Sequence, residues 1–384
     1  MRAVVMRKNK LVVDNVPVPT PGPGEVLVKT LACGICGTDL HALRFAETLG
    51  GGLARSGGLY GMDPNRDVVL GHEFCAEVVD YGPGTRKRFK PGTRVCSIPV
   101  LKRTKEGASI GYSNEHPGGF GEMMRLSENL LVGVPDDLPS EVAALTEPMA
   151  VGYHAVAKAR LERCDVSLVI GCGPVGLSVI AALKLKGTTP IVAADLSPRR
   201  RQLAVEMGAD MVIDPREKSP YEPVMAAEWP RLGSVITNLG SFLASDFPIK
   251  SDMKYLIKSF YRAFGSGRFA GRPAVIFECA GVPGVIDGIM FNAPRNARIV
   301  VAGLCMERDH IYPWFGINKQ LSLQFVQGYS DEEFATTLRN IRKGKLRVQP
   351  LITGKVGIEG VAKAFEELRS PEHHAKILVE PWRN

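Results

Sequence analysis

The spacing of apolar residues changes once along the chain. Up to about Val134 they come in short runs with strand-like character, at 11–13, 25–31, 77–79 and 94–96. Pro17, Pro19, Pro21, Gly22, Pro23 and Gly24 punctuate the first two runs, and Gly118-Gly119-Phe120-Gly121 marks a turn into another strand. From about Val166 strands alternate with helices. The predicted strands are 167–170, 191–194, 211–213, 274–277 and 298–302, and the predicted helices 174–186 and 198–207. That rhythm implies parallel βαβ units. Beyond about Phe325 the pattern predicts helices over 331–343 and 358–368 and a final strand over 375–379. The fold class is therefore α/β, a β-rich part joined to a doubly wound parallel sheet.

The stretch from Val166 to Leu183 carries no charge and approaches the length of a short membrane span. Gly171, Gly173, Pro174 and Gly176 would break a lipid-exposed helix, so a buried strand, a tight turn and a buried helix are expected instead. A length of 384 residues exceeds what one core serves, and two domains are expected. The first residues are too short an apolar run for a signal core. With that start, eight scattered cysteines predict reduced thiols and a cytoplasmic protein. A net charge of +8 alone does not indicate nucleic-acid binding, because no recognition module accompanies it.

Gly171-Cys172-Gly173-Pro174-Val175-Gly176 falls between a predicted strand and a predicted helix, the context that gives G-x-G-x-x-G its meaning. Gly171 permits the tight turn, Gly173 lets the backbone approach a pyrophosphate, and Gly176 lets helix and strand pack closely. The helix N-terminus then offers free N–H groups to the phosphates. Asp195 follows at the end of the next predicted strand, where its carboxylate suits ribose hydroxyls and repels a 2′-phosphate. NAD is thus favoured over NADP, although Arg199 to Arg201 could neutralise such a phosphate.

Cys36, His72 and Glu147 offer a thiolate, an imidazole and a carboxylate, the donor types of a catalytic zinc site, with Glu73 as an alternative carboxylate. They are far apart in sequence, so spacing alone does not unite them. Cys33-x-x-Cys36 could instead be a redox pair, but no thioredoxin-like pattern surrounds it.

Taken together, the segments 34–41 (Gly-Ile-Cys-Gly-Thr-Asp-Leu-His), Gly71-His72-Glu73, Gly118–Gly121 with Glu122, Glu147-Pro148-Met149-Ala150-Val151 and the glycine motif with Asp195 resemble the zinc-dependent medium-chain alcohol dehydrogenases. The resemblance spans nearly the whole chain. It implies a GroES-like catalytic domain over 1–149 and 326–384, with a Rossmann domain over 150–325 between them. It also implies that Cys36, His72 and Glu147 hold zinc, with Glu73 beside the metal or exchanging onto it. Asp39 would orient His72, Thr38 would hold the substrate hydroxyl, His41 would pass a proton to solvent, and Arg200 would contact the adenosine ribose. The expected reaction moves a hydride between an alcohol and an aldehyde or ketone through a nicotinamide cofactor. A homodimer or homotetramer joined through the nucleotide domain is expected as well.

The chain departs from that family in three places. Ser97 to Glu122 contains no cysteine, so one catalytic zinc and no structural zinc are expected. The glycine-rich segment 42–66 could be a substrate lid or a plain surface insertion. An insertion near 219–272 carries Met253, Leu256, Ile257, Phe260, Tyr261 and Phe264 at helical spacing. The favoured reading is a helix packed on the body or across a subunit interface, ahead of one lying on a membrane surface. Rival functions are a zinc-independent reductase of activated double bonds, an aldehyde dismutase with tightly held NAD, and a non-catalytic protein on the same scaffold. The Cys36, His72 and Glu147 set argues against the first, and Thr38 with His41 against the last.

Overall fold

The computed structural model describes residues 1–49, 62–101, 108–162, 165–226 and 274–383. The aromatic stripe at 253–264 and residues 50–61 of the glycine-rich segment lie outside them. Six parallel strands form one sheet in the spatial order Met211–Ile213, Ile191–Ala194, Val166–Ile170, Ala274–Glu278, Arg298–Val301, Ser322–Phe325. Counted in chain order this is 3-2-1-4-5-6, the doubly wound arrangement whose switch point lies between strands one and four. The sequence pattern predicts five of these strands. The sixth, Ser322–Phe325, is an edge strand with three of its four residues exposed, so it lacks the apolar run that marks the others.

Val166–Ile170 is apolar except for the buried Ser167 because both its faces are covered. Val166 and Leu168 enter one core with Ile276 and Ile289, while Val169 enters another with Val179, Phe277 and Leu338. Pro174–Lys186 is buried nearly all round, as a helix trapped between this sheet and a second helix must be. That second helix is Thr146–Lys158. At their crossing a Cβ on Gly152 would stand 2.3 Å from Ser178 Oγ, so the two backbones touch only because Gly152 has no side chain. Among the described residues no helix is long and apolar enough to cross a membrane.

A seven-stranded mixed sheet carries the other half of the molecule. Its order is Leu131–Gly133, Arg94–Ser97, Glu73–Tyr81, Glu25–Gly34, Lys376–Val379, Ile352–Val356, with Met123–Ser127 also paired to Glu25–Gly34. The last strand of the chain therefore lies against one of the first, Leu378 opposite Gly34 and Val379 opposite Cys33. Ile352–Val356 has no counterpart in the sequence reading. Val4, Phe74, Phe120 and Phe365 fill the core beneath this sheet.

Candidate metal and dinucleotide sites

The strand Glu25–Gly34 runs into Cys36, and Gly37–Arg44 follows as a helix. Cys36 N donates to Asp39 Oδ2 at 2.9 Å, so the carboxylate caps the first turn and fixes Cys36 at its entrance. Thr38 and His41 lie one turn apart on this helix, with Thr38 Oγ1 accepting from Cys36 Sγ at 3.5 Å. His72 and Glu73 arrive where Gly71 enters the strand Glu73–Tyr81. Gly71 adopts φ +103°, and a Cβ there would lie 2.9 Å from Phe120 N. Only glycine fits that turn.

This geometry gathers Cys36, His72 and Glu73, whose candidate ligand atoms all lie within 4.8 Å of one another. Glu147, in the first turn of Thr146–Lys158, stands outside that group of three. It is nevertheless close enough for Glu73 and His72 to act on its charge. Burial first, then Glu73, pushes the Glu147 carboxyl up to about 7, against the opposing pull of His72 and a hydrogen bond from Tyr329. Asp39 is fully buried, and its Oδ1 lies 3.4 Å from His72 Nδ1, within ion-pair range but without hydrogen-bond alignment. Burial opposes charge on His72, yet Asp39 and Cys36 outweigh it and raise its pKa well above the ordinary histidine value. The pocket therefore favours positive charge at its centre. A thiolate, an imidazole and a buried carboxylate in a field of that sign suit a divalent zinc ion.

Three residues not singled out in the sequence hold these groups in place. Lys376 Nζ, fully buried, donates to Glu73 Oε1 and Oε2 at 2.6 Å each and to the Ile35 carbonyl at 3.0 Å. Tyr329 Oη donates to Glu147 Oε1 at 2.7 Å. Tyr112 Oη donates to Asp39 Oδ1 at 2.8 Å. Of these only Lys376 left a trace in the sequence, as a cation inside an apolar strand. His41 is partly buried, and that burial together with Arg44 lowers its pKa.

At the dinucleotide motif, Gly171 has φ +90°, and a Cβ there would stand 2.7 Å from Ala280 N, beside strand four at the switch point. A Cβ on Gly176 would stand 1.9 Å from the Gly171 carbonyl, whereas one on Gly173 would meet nothing nearer than Arg200 Nη1 at 3.9 Å. The first and third glycines are thus packed against backbone, and the middle one faces open space where a pyrophosphate could approach. Pro174 occupies the first turn of Pro174–Lys186, and the N-cap, Gly173, supplies no side-chain acceptor. The N–H groups of Val175 and Gly176 remain for an anion. Asp195 accepts from Cys172 N at 2.7 Å and Ser197 N at 2.8 Å, which orients the carboxylate beside the loop. Arg201 pairs with Asp214 and donates to the carbonyls of Asp195 and Leu196, while Arg200 leans toward Gly173. The helix carrying Glu147 is the one packed on the dinucleotide helix at Gly152, so the two candidate sites share a rigid junction.

Comparison with known proteins bears on the family and the fold. Two family models match the chain: an alcohol dehydrogenase GroES-like domain over residues 22–136 and a zinc-binding dehydrogenase over residues 174–343. The (R,R)-butanediol dehydrogenase of Bacillus subtilis is 30% identical over 387 residues, covering 96% of both chains. The sorbitol dehydrogenase of Ovis aries is 28% identical over 375 residues, covering 94% of this chain and 91% of its own. The crystal structure of 2R,3R-butanediol dehydrogenase from Bacillus subtilis superposes with a TM-score of 0.73 at 27% identity, covering 99% of each chain.

Proposed function

We propose a reaction for this chain, which belongs to the zinc-dependent medium-chain alcohol dehydrogenase family and is an oxidoreductase of alcohols and carbonyl compounds: it oxidises a secondary alcohol that carries a neighbouring hydroxyl, with NAD as hydride acceptor. The observation that carries the reading is the gathering of Cys36, His72 and Glu73 within 4.8 Å, with Glu147 on the helix that packs against the dinucleotide helix. The relatives named for butanediol and sorbitol support the diol, since both names describe molecules with adjacent hydroxyls on secondary carbons.

Cys36, His72 and one of the two carboxylates would hold a single zinc. When bound, zinc supplies Lewis acidity at the substrate hydroxyl and the nicotinamide supplies the hydride acceptor. The protein does the rest. Thr38 Oγ1 would accept the substrate hydroxyl's proton as it releases its own, and His41, whose pKa burial and Arg44 lower, would take up the released proton and pass it to solvent. Asp39 and Lys376 fix His72 and Glu73, so the donor carbon is held in one orientation. Gly171, Gly173, Pro174, Val175 and Gly176 receive the pyrophosphate, and Asp195 with Arg200 receives the adenosine ribose. The carboxylate of Asp195 supports NAD as the cofactor.

The catalytic domain is assigned to 1–149 and 326–384 and the dinucleotide domain to 150–325. A cytoplasmic location fits the free thiols of the described cysteines. A second copy of the chain is placed against the edge strand Ser322–Phe325. There Phe325 is exposed, as are Tyr312, Trp314 and Ile317 on and beside the neighbouring helix Pro313–Lys319. The test is a panel of vicinal diols, polyols and simple alcohols with NAD and NADP, read as nicotinamide absorbance, with Cys36→Ser as control. Diol turnover that survives in Cys36→Ser, or after zinc removal, refutes the metal site. Turnover without added cofactor would replace this reading with a dismutase.

A further inference from the structure

The lobe over residues 108–121 lies in the stretch from Ser97 to Glu122 that contains no cysteine, and close packing and hydrogen bonds hold it. Its backbone lies directly on the turn that carries His72. Gly111, at φ +84°, would put a Cβ 2.8 Å from the Gly71 carbonyl, and Gly118 would put one 2.3 Å from the same atom. Asn114 pins the neighbouring segment. It accepts from Asp63 N at 2.8 Å and donates to the carbonyls of Asp63 and Asp67 at 3.0 and 3.2 Å. Between these anchors the lobe sends in Tyr112, 2% exposed.

Tyr112 makes two contacts that converge on one imidazole. Its hydroxyl donates to Asp39 Oδ1 at 2.8 Å, the oxygen that faces His72 Nδ1 at 3.4 Å. Its ring lies 5.1 Å from the His72 ring, centroid to centroid, tilted by 48°. The other Asp39 oxygen is already committed to Cys36 N. With both oxygens held, the carboxylate cannot rotate, and the ring limits how far the imidazole can tilt.

We infer that Tyr112 is a positioning residue for the metal ligands, acting through Asp39 and His72, and that the cysteine-free lobe is thereby fastened to the metal site. The inference rests on the zinc reading above. Outer partners that orient ligating groups are typically worth ~10–100-fold in metal affinity. The mechanism is geometric: a donor that orients the ligand's partner lowers the reorganisation required when the metal is captured. No catalytic step is assigned to Tyr112.

The experiment compares the zinc-loaded full chain with its Tyr112→Phe, Asn114→Ala and Cys36→Ser variants. Zinc content is measured by elemental analysis, and zinc release by a chromogenic chelator. Hydrogen exchange over 108–121 reports the state of the lobe. Tyr112→Phe keeps the ring and the packing, and is expected to bind one zinc but release it ~10–100-fold faster. Asn114→Ala is expected to speed exchange in the lobe while leaving zinc release as in the parent. Release from Tyr112→Phe at the parent rate overturns the inference, as does equal acceleration in Asn114→Ala, which would mean general loosening. A parent chain that binds no zinc, or a Cys36→Ser variant that binds it normally, overturns the zinc reading itself.

Discussion

The buried pair of Lys376 and Glu73 gives the sharpest quantitative expectation. The two side chains are 0% and 1% exposed, and the ammonium makes both of its carboxylate bonds at 2.6 Å. Replacing Lys376 by Met removes those bonds and the bond to the Ile35 carbonyl. It leaves an uncompensated carboxylate in a site closed to water, and breaking a buried pair in this way costs ~3–5 kcal/mol. Against a typical domain stability of ~5–15 kcal/mol this is a severe loss. Glu73→Gln, which strands the ammonium, is expected to cost a similar amount. The double variant Glu73→Gln/Lys376→Met buries no charge, so its loss should fall short of the sum of the singles by ~2 kcal/mol or more. Urea unfolding of the apoprotein, monitored by circular dichroism, measures all three. Burial pulls the pKa of Lys376 down, but Glu73 and then Cys36 pull it further up, and the net shift is upward. The contribution is therefore complete below the unfolded value of about 10.4 and is lost only as pH rises through the higher folded value. The Lys376→Met penalty should accordingly stay flat from pH ~6 to ~9. A single-variant cost below ~1 kcal/mol, the level of an exposed pair, would refute the reasoning. So would strict additivity in the double variant.

Thr38→Val should lower turnover by ~10²–10⁴-fold while the zinc content of the purified protein stays unchanged. The parent's kcat/KM should fall as pH drops through a His41 value below the ordinary histidine range, because the protonated ring cannot accept a proton. In His41→Ala that step should vanish from the pH profile, with activity reduced at neutral pH and partly restored in alkaline buffer. Asp195→Asn should raise the ratio of NADP to NAD efficiency by about tenfold, equivalent to ~1.4 kcal/mol of removed repulsion. An unchanged ratio in steady-state kinetics would remove Asp195 from cofactor selection.

The parallel sheet was legible because its central strands are buried on both faces and read as largely apolar runs. Ser322–Phe325 and Ile352–Val356 were not, because the first is mostly exposed, the second only partly buried, and neither forms such a run. The ligand candidates could be named from residue type, but their grouping could not. Glu73 joins Cys36 and His72 within bonding reach of a common ion, while Glu147 stands farther off on its own helix. Nothing in the neighbourhood of either residue in the sequence distinguishes them. The partners of Tyr112, Tyr329 and Lys376 were invisible for a related reason, although Lys376 itself stands out as a cation in an apolar strand. The three residues meet Asp39, Glu147 and Glu73 across separations of 73, 182 and 303 residues, distances over which no periodic pattern carries information.

The longest of those separations also sets an order of events at the ribosome. Glu73 emerges 303 residues ahead of Lys376. At synthesis rates of ~5–20 residues per second, the carboxylate waits ~15–60 s for its counter-ion. Over that interval the parallel-sheet unit can be made and folded, while Cys33 and Gly34, at the end of the strand Glu25–Gly34, keep an edge that Lys376–Val379 has yet to cover. A nascent chain interrupted before residue 376 would thus carry a finished dinucleotide fold beside an open sheet, with a buried acid left unneutralised. In this topology the metal-binding face is complete only once residues 376–379 have been made.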